Sequence, residues 1–152
     1  MFKAFLAAAL VLLFGLPCGA AMTNEPKDFR GVVFGQEYTP GPEFTCEEDS
    51  EEGRTCVRAH DELKLLDVPL RSLKYLFMDK RLYTVDLEVD GRSGYDALLA
   101  ALARRHGRNS TDRGGMTTFT GTSVDIIGYF DARHKIGEVS FVFRNLPCPV
   151  GE

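Results

Sequence analysis

Tryptophan is absent from this chain, and histidine occurs only three times in 152 residues. His60, His106 and His134 stand far apart, without the short spacings that gather metal ligands. Each is expected on the surface or on a helix face. No G-x-S-x-G, H-E-x-x-H, C-x-x-C or phosphate-cradling glycine loop occurs. Serine hydrolysis, zinc peptidase chemistry, dithiol exchange and nucleotide hydrolysis are thus left without their usual sequence marks, and no cofactor is expected. Positive charge is in short supply too: 18 Lys and Arg face 22 Asp and Glu, a net −4. Nucleic acid and anionic membrane both reward a basic surface, so neither is an expected partner. Internal repeats and low-complexity tracts are lacking.

What is present begins with MFKAFLAAALVLLFGLPCGAA. A single lysine, Lys3, precedes an apolar run from Ala4 to Leu16; Pro17 and the small residues of CGAA follow. That order reads as a secretory signal peptide, residues 1–21, cleaved after Ala20 or Ala21. The run falls short of the roughly 20 residues that span a bilayer. Two alternatives stay open, lipidation at Cys18 and an uncleaved anchor, although Leu16-Pro17 suits a lipidation signal badly. Only these two would bring a membrane in; otherwise the protein is expected to be periplasmic or secreted. Removing 21 of the 152 residues leaves 131, enough for one domain with a real core, and losing Lys3 takes the net charge to −5. With 11 Phe and 5 Tyr, the composition is that of a folded protein.

Residues 22–28 (MTNEPKD) read as a flexible lead-in, and 29–146 as a single domain with a tail at 147–152. FRGVVFG (29–35) reads as a strand or packed extended piece, and TPGP (39–42) as a turn. EFTCE and RTCVRA read as strands on either side of an acidic loop. The clearest hairpin is SLKYLFM-DKR-LYTVDLEVDG. Its loop is expected to be odd, three residues, because that sets Leu73, Tyr75 and Phe77 on the same sheet face as Tyr83, Val85, Leu87 and Val89. A helix follows, with Ser93 as N-cap and Asp96 as the far half of a capping box. Tyr95, Leu98, Leu99, Leu102 and His106 form its apolar stripe, and Gly107 ends it. MTTFT, SVDIIGYF and GEVSFVFRN read as three further strands. The expected fold is α+β: an antiparallel sheet of hairpins with one amphipathic helix packed on one face.

DFRGVVFG, LDVPLRSLKYLFMDKRLYTVDLEVDG and YDALLAALARRHG together resemble a family of small exported proteins of Gram-negative bacteria. That family pairs an F-R-G-x-x-[FW]-G opening with a Y-x-F-x-x-x-x-L hairpin and a helix ending in H-G or Y-G. The resemblance spans about residues 28–144; family members often carry glycine near Lys80, which this chain does not. The family has no established activity, so the resemblance implies a fold and no catalytic residues.

Four features are candidates for chemistry. CEEDSEEGRTC (46–56) sets Glu47, Glu48, Asp49, Glu51 and Glu52 between two cysteines. Calcium loops space their carboxylates at alternate positions around a glycine, and these are nearly contiguous. In an oxidising compartment the first reading is a hairpin tip stapled by Cys46–Cys56, the second a docking surface. Cys148, the odd thiol, stays free, pairs elsewhere, or serves as a nucleophile. Asp86, Glu88 and Asp90 share one strand face and are weak metal candidates; a solvated face with Lys74 across the hairpin is the expected alternative. Arg104, Arg105, Arg108 and Arg113 form a basic group around the helix end, where cations suit the dipole. The function expected is a non-enzymatic binding or accessory protein engaging a partner in the cell envelope. The alternatives are a small-ligand or divalent-metal binder and a thiol-dependent enzyme around Cys148.

Overall fold

The structure, a computed structural model, describes residues 22–47 and 53–144. Its framework is an eight-stranded antiparallel sheet with one helix, an α+β architecture. In chain order the first elements are β1 (Asp28–Phe29) and β2 (Val32–Val33), a minimal hairpin. Arg30 and Gly31 turn it with φ of 51° and 86°, the mirror-image turn that suits the twist of paired strands. Next come β3 (Phe44–Cys46) and β4 (Arg54–Arg58), then a second small pair, β5 (Lys64–Leu65) with β6 (Val68–Pro69). The long strands β7 (Ser72–Met78) and β8 (Arg81–Asp90) follow, then the short β9 (Ser110–Thr111) and β10 (Thr117–Phe119), and last the long β11 (Val124–Asp131) and β12 (Ile136–Phe143). Across the large sheet the order is β3-β4-β7-β8-β12-β11-β10-β9.

Alternation along the long strands separates two sides. Leu73, Tyr75 and Phe77 of β7, Val85, Leu87 and Val89 of β8, Val139 and Phe141 of β12, and Val124 and Ile126 of β11 are buried. The opposite side carries Lys74, Asp86, Ser140 and Ile127 in one cross-strand row, and Ser72, Glu88, Glu138 and Tyr129 in the next.

The β7–β8 connection differs from the three-residue loop expected. Met78 pairs with Arg81, so the turn is the two residues Asp79-Lys80, both at positive φ (48° and 59°). The odd residue sits instead in the strand. Leu76 opposes Thr84 and Phe77 opposes Leu82, so Tyr83 is a bulge. Parity is therefore right for Tyr75↔Val85 and Leu73↔Leu87, while Leu82, with no exposed surface, takes the core place assigned to Tyr83.

The helix, α1 (Gly91–His106), begins two residues before the expected cap. Asp90 is the N-cap and makes no side-chain cap bond; Gly91, at φ 72°, turns the chain out of β8 and donates its N–H to Lys135 O at 2.9 Å. Asp96 accepts from Arg92 Nε at 3.0 Å, an i,i+4 pair and not a capping box. Tyr95, Leu98, Leu102 and His106 are buried. Tyr95 lies over glycines: a Cβ at Gly137 would come within 2.5 Å of its ring. Gly107, at φ 94°, closes the helix with its N–H on Ala103 O.

The segment expected to be a flexible lead-in is tied down. Met22 is 6% exposed and donates its N–H to Thr120 O; Thr23 N–H donates to His106 O. The Glu25 carboxylate accepts from three successive N–H groups, Thr122, Ser123 and Val124, at 2.5–2.8 Å. Three converging donors make a nest for one negative charge, and the chain fills it with its own side chain. Residues 22–28 are a strap across the end of the sheet.

Candidate functional site

The strap, the last turn of α1 and the β5–β6 turn border a half-open cavity of about 540 Å³. Its apolar wall comes from Phe29, Leu65, Leu66, Leu102 and Phe141, and its polar wall from the strap together with Arg30, Arg105 and His106. The position follows from the sequence. Leu102 and His106 are one turn apart on the inner stripe of α1, and Phe141 is a core position of β12. Phe141 meets the His106 ring edge-on, centroids 6.4 Å apart.

His106 is the most constrained polar group here, at 4% exposure. Its Nδ1 lies 2.5 Å from Asn24 O, and a carbonyl can only accept, so Nδ1 carries the proton. Burial pushes the imidazole pKa below its usual value, the Asn24 bond opposes that, and the Arg105 charge adds to it. The side chain is thus neutral, with its second nitrogen, Nε2, a free acceptor.

The charges around the cavity divide into committed and uncommitted. Both Glu25 oxygens are held by the nest, and Asp28 Oδ1 accepts from Gly31 N–H at 2.9 Å. Arg30 is paired with Asp61 and donates to Lys64 O at 2.7 Å. Lys27 and Arg105 form no ion pair among the described residues.

Below the cavity lies a network that no sequence motif announces. Tyr75, with no exposed surface, donates its hydroxyl to Asp61 Oδ2 at 2.6 Å; Asp61 Oδ1 takes Arg30, whose guanidinium also sits over the Phe29 ring. Burial, and then the Asp61 bond, hold the Tyr75 phenol well above its ordinary pKa. The hydroxyl stays a proton donor, and the network pins the loop carrying Asp61 to the β1–β2 turn. In F-R-G-x-x-[FW]-G the roles are accordingly structural. Phe29 and Phe34 are core, Arg30 is turn and ion pair, and Gly35 faces the Phe143 ring so closely that a Cβ would lie 2.3 Å from it.

The remaining candidates fall into separate places. Cys46 and Cys56 stand directly opposite on β3 and β4 and are joined by a disulfide. Glu47 is exposed just past β3; Glu48, Asp49, Glu51 and Glu52 lie outside the described residues, as do Cys148 and Cys18. Arg104, Arg105, Arg108 and Arg113 are all exposed, grouped between the end of α1 and the β9–β10 turn. Asp86, Glu88 and Asp90 do share the solvent side of β8. Ser140 donates to Asp86 at 2.5 Å, and Arg71 lies 3.8 Å from Glu88 and 3.3 Å from Asp90. Among the described residues no three His, Cys, Asp or Glu side chains converge as a metal site. His60 is exposed, and His134 is held in a surface turn 2.6 Å from Asp131, whose carboxyl it keeps below the usual range.

Sequence reading placed the stripe ending at His106 but not the strap that covers it; Asn24, Lys27 and Asp61 carried no pattern to mark them. Compared with protein-family models, curated proteins and solved structures, the chain finds no match in any of the three. Among the described residues no helix is long and apolar enough to cross a membrane.

Proposed function

We propose that this chain is an exported, non-enzymatic binding protein that engages a protein partner in the cell envelope through the charged ends of its sheet. The observation that carries this reading is the separation of its two charged features. The acidic segment joins β3 to β4 at one edge of the eight-stranded sheet, whereas the arginine group surrounds β9 at the other. Six strands lie between the two edges. The two edges are therefore poorly placed to neutralise one another within one molecule, and complementary charge on a partner at either edge would steer association. The helix is taken to pack on one sheet face, which leaves the side bearing Lys74, Asp86, Glu88 and Glu138 open as well. Glu88 stands directly opposite Glu138, a like-charged pair that Arg71, 3.8 Å from Glu88, partly offsets. The Cys46–Cys56 disulfide is compatible with an oxidising compartment, and the signal-peptide reading and the resemblance to small exported Gram-negative proteins agree with it.

Crosslinking in intact cells followed by recovery of the protein tests the proposal. One dominant envelope protein is expected, lost on reversing charge at Arg104 and Arg108, or at Glu47 and Glu48, with the melting temperature unchanged. Recovery unaffected by either reversal would overturn it.

A further inference from the structure

From the cavity beneath the strap we infer a second function, the binding of a small amphipathic organic anion, with a carboxylate as the simplest head group. Three observations converge. The cavity, about 540 Å³, falls within the roughly 300–1,000 Å³ typical of small-molecule sites. Its accessible apolar surface comes from the half-buried Leu65 and Leu66 of the β5–β6 turn, with the buried Leu102 and Phe141 of the core behind them.

The second observation is an unpartnered nitrogen on a buried ring. His106 is more than nine-tenths buried and its Nδ1 is occupied by Asn24 O, yet Nε2 has no hydrogen-bond partner among the described residues. Nor is that nitrogen sealed in the core: Tyr95 Oη is the fully buried side-chain polar atom left without a partner there. His106 lines the cavity, and a water that donates to Nε2 and to a carboxylate head group joins the two.

The third is charge. Every carboxylate on the wall already holds backbone N–H groups, and Arg30 holds Asp61. Bonds to neutral N–H groups leave the Glu25 and Asp28 charges in place, but neither carboxylate pairs with Lys27 on the strap or Arg105 on the helix, the two lining cations that form no ion pair among the described residues. An anionic head at these cations and a hydrocarbon body on Leu65 and Leu66 satisfies both halves of the site, and the arginine fork matches a carboxylate. The acidic edge and the solvent side of the sheet do not line the cavity, and the one residue shared with the arginine group is Arg105. Because the partner test reverses Arg104 and Arg108 and the ligand test reverses Arg105, failure of one reading is distinguishable from failure of the other.

Decanoate, below its micellar concentration, is the probe, titrated by calorimetry into the disulfide-intact chain with decanol in parallel. One saturable site per chain is expected, with a rise in melting temperature. Arg105→Glu weakens binding at least tenfold, Leu65→Trp fills the cavity and abolishes it, and Lys74→Glu, on the opposite side of the sheet, leaves it unchanged. Arg105 is exposed, so its reversal tests the site even if Leu65→Trp does not fold. Absence of saturable decanoate binding, equal affinity for decanol, or undiminished affinity in Arg105→Glu would each overturn the inference.

Discussion

At the scale of single residues, His106 shows how burial and one backbone acceptor set a side chain's state. Asn24 O fixes the tautomer, and the lost hydration holds the pKa below the ordinary histidine value of 6.5. Arg105 on the same helix, with Lys27 and Arg30 across the cavity, is a cation near the ring; Glu25 and Asp28 line the same space but are engaged elsewhere. A folded-state pKa below the unfolded one means that the unfolded chain binds more protons as pH drops through 6.5. The stability contributed by neutral His106 is thus fully present above pH 6.5 and is lost as pH falls through the lowered folded value. Melting temperatures measured from pH 8 down to pH 5 should fall below pH 6.5 in the native protein, and His106→Gln should flatten that part of the profile. An unchanged slope in the variant would show that the titrating group lies elsewhere. The burial of His106 was legible from its place in the Tyr95–Leu98–Leu102 stripe. Its partner, 82 positions away, was not, because a backbone carbonyl carries no sequence signal.

At the scale of elements, the β7–β8 hairpin shows what alternation settles and what it leaves open. Periodicity in Leu73-Tyr75 and Val85-Leu87 fixes which residues share a face and therefore demands an odd number of unpaired residues. It is silent on where the odd one goes. The chain divides three unpaired residues into a two-residue mirror turn and a bulge at Tyr83, and the mirror turn is the connection whose twist suits the strands. That choice places Asp79 and Lys80 in the left-handed region, which costs a non-glycine residue roughly 1–2 kcal/mol. Lys80→Gly should therefore stabilise the protein by about 0.5–1 kcal/mol, the relief of strain exceeding glycine's added freedom when unfolded. Urea unfolding at constant m-value measures it, and destabilisation would show the turn to be unstrained. The start of α1 misled for a similar reason. Ser93 and Asp96 spell a cap, but Asp90-Gly91 turns the chain out of β8 two residues sooner, and a helix begins where its chain is first aimed correctly.

At the scale of the whole molecule, the α+β architecture was readable because strand and helix periods differ and each run was bounded by a turn signal. The strap was not readable. MTNEPKD is polar and contains proline, so local chemistry marks it as loose, while the groups that hold it belong to the far end of the chain. Glu25 carries most of that attachment, through charge-assisted bonds to three amides. Glu25→Ala should lower stability by about 1–3 kcal/mol and speed hydrogen exchange at the Thr122, Ser123 and Val124 amides, with little change in the β7–β8 core. Exchange that rises equally across the sheet would mean global loosening and no local strap.

The strap also imposes an order in time. Glu25 is made early, but its three partners lie 97–99 positions further along the chain. The β3–β4 and β7–β8 hairpins can close as soon as they emerge, with little loop entropy to overcome. The strap must wait for β11, so the space between it and α1 comes into being only when nearly the whole domain has been synthesised and paired. Whatever occupies that space recognises a finished molecule, and an incomplete chain offers it nothing to hold.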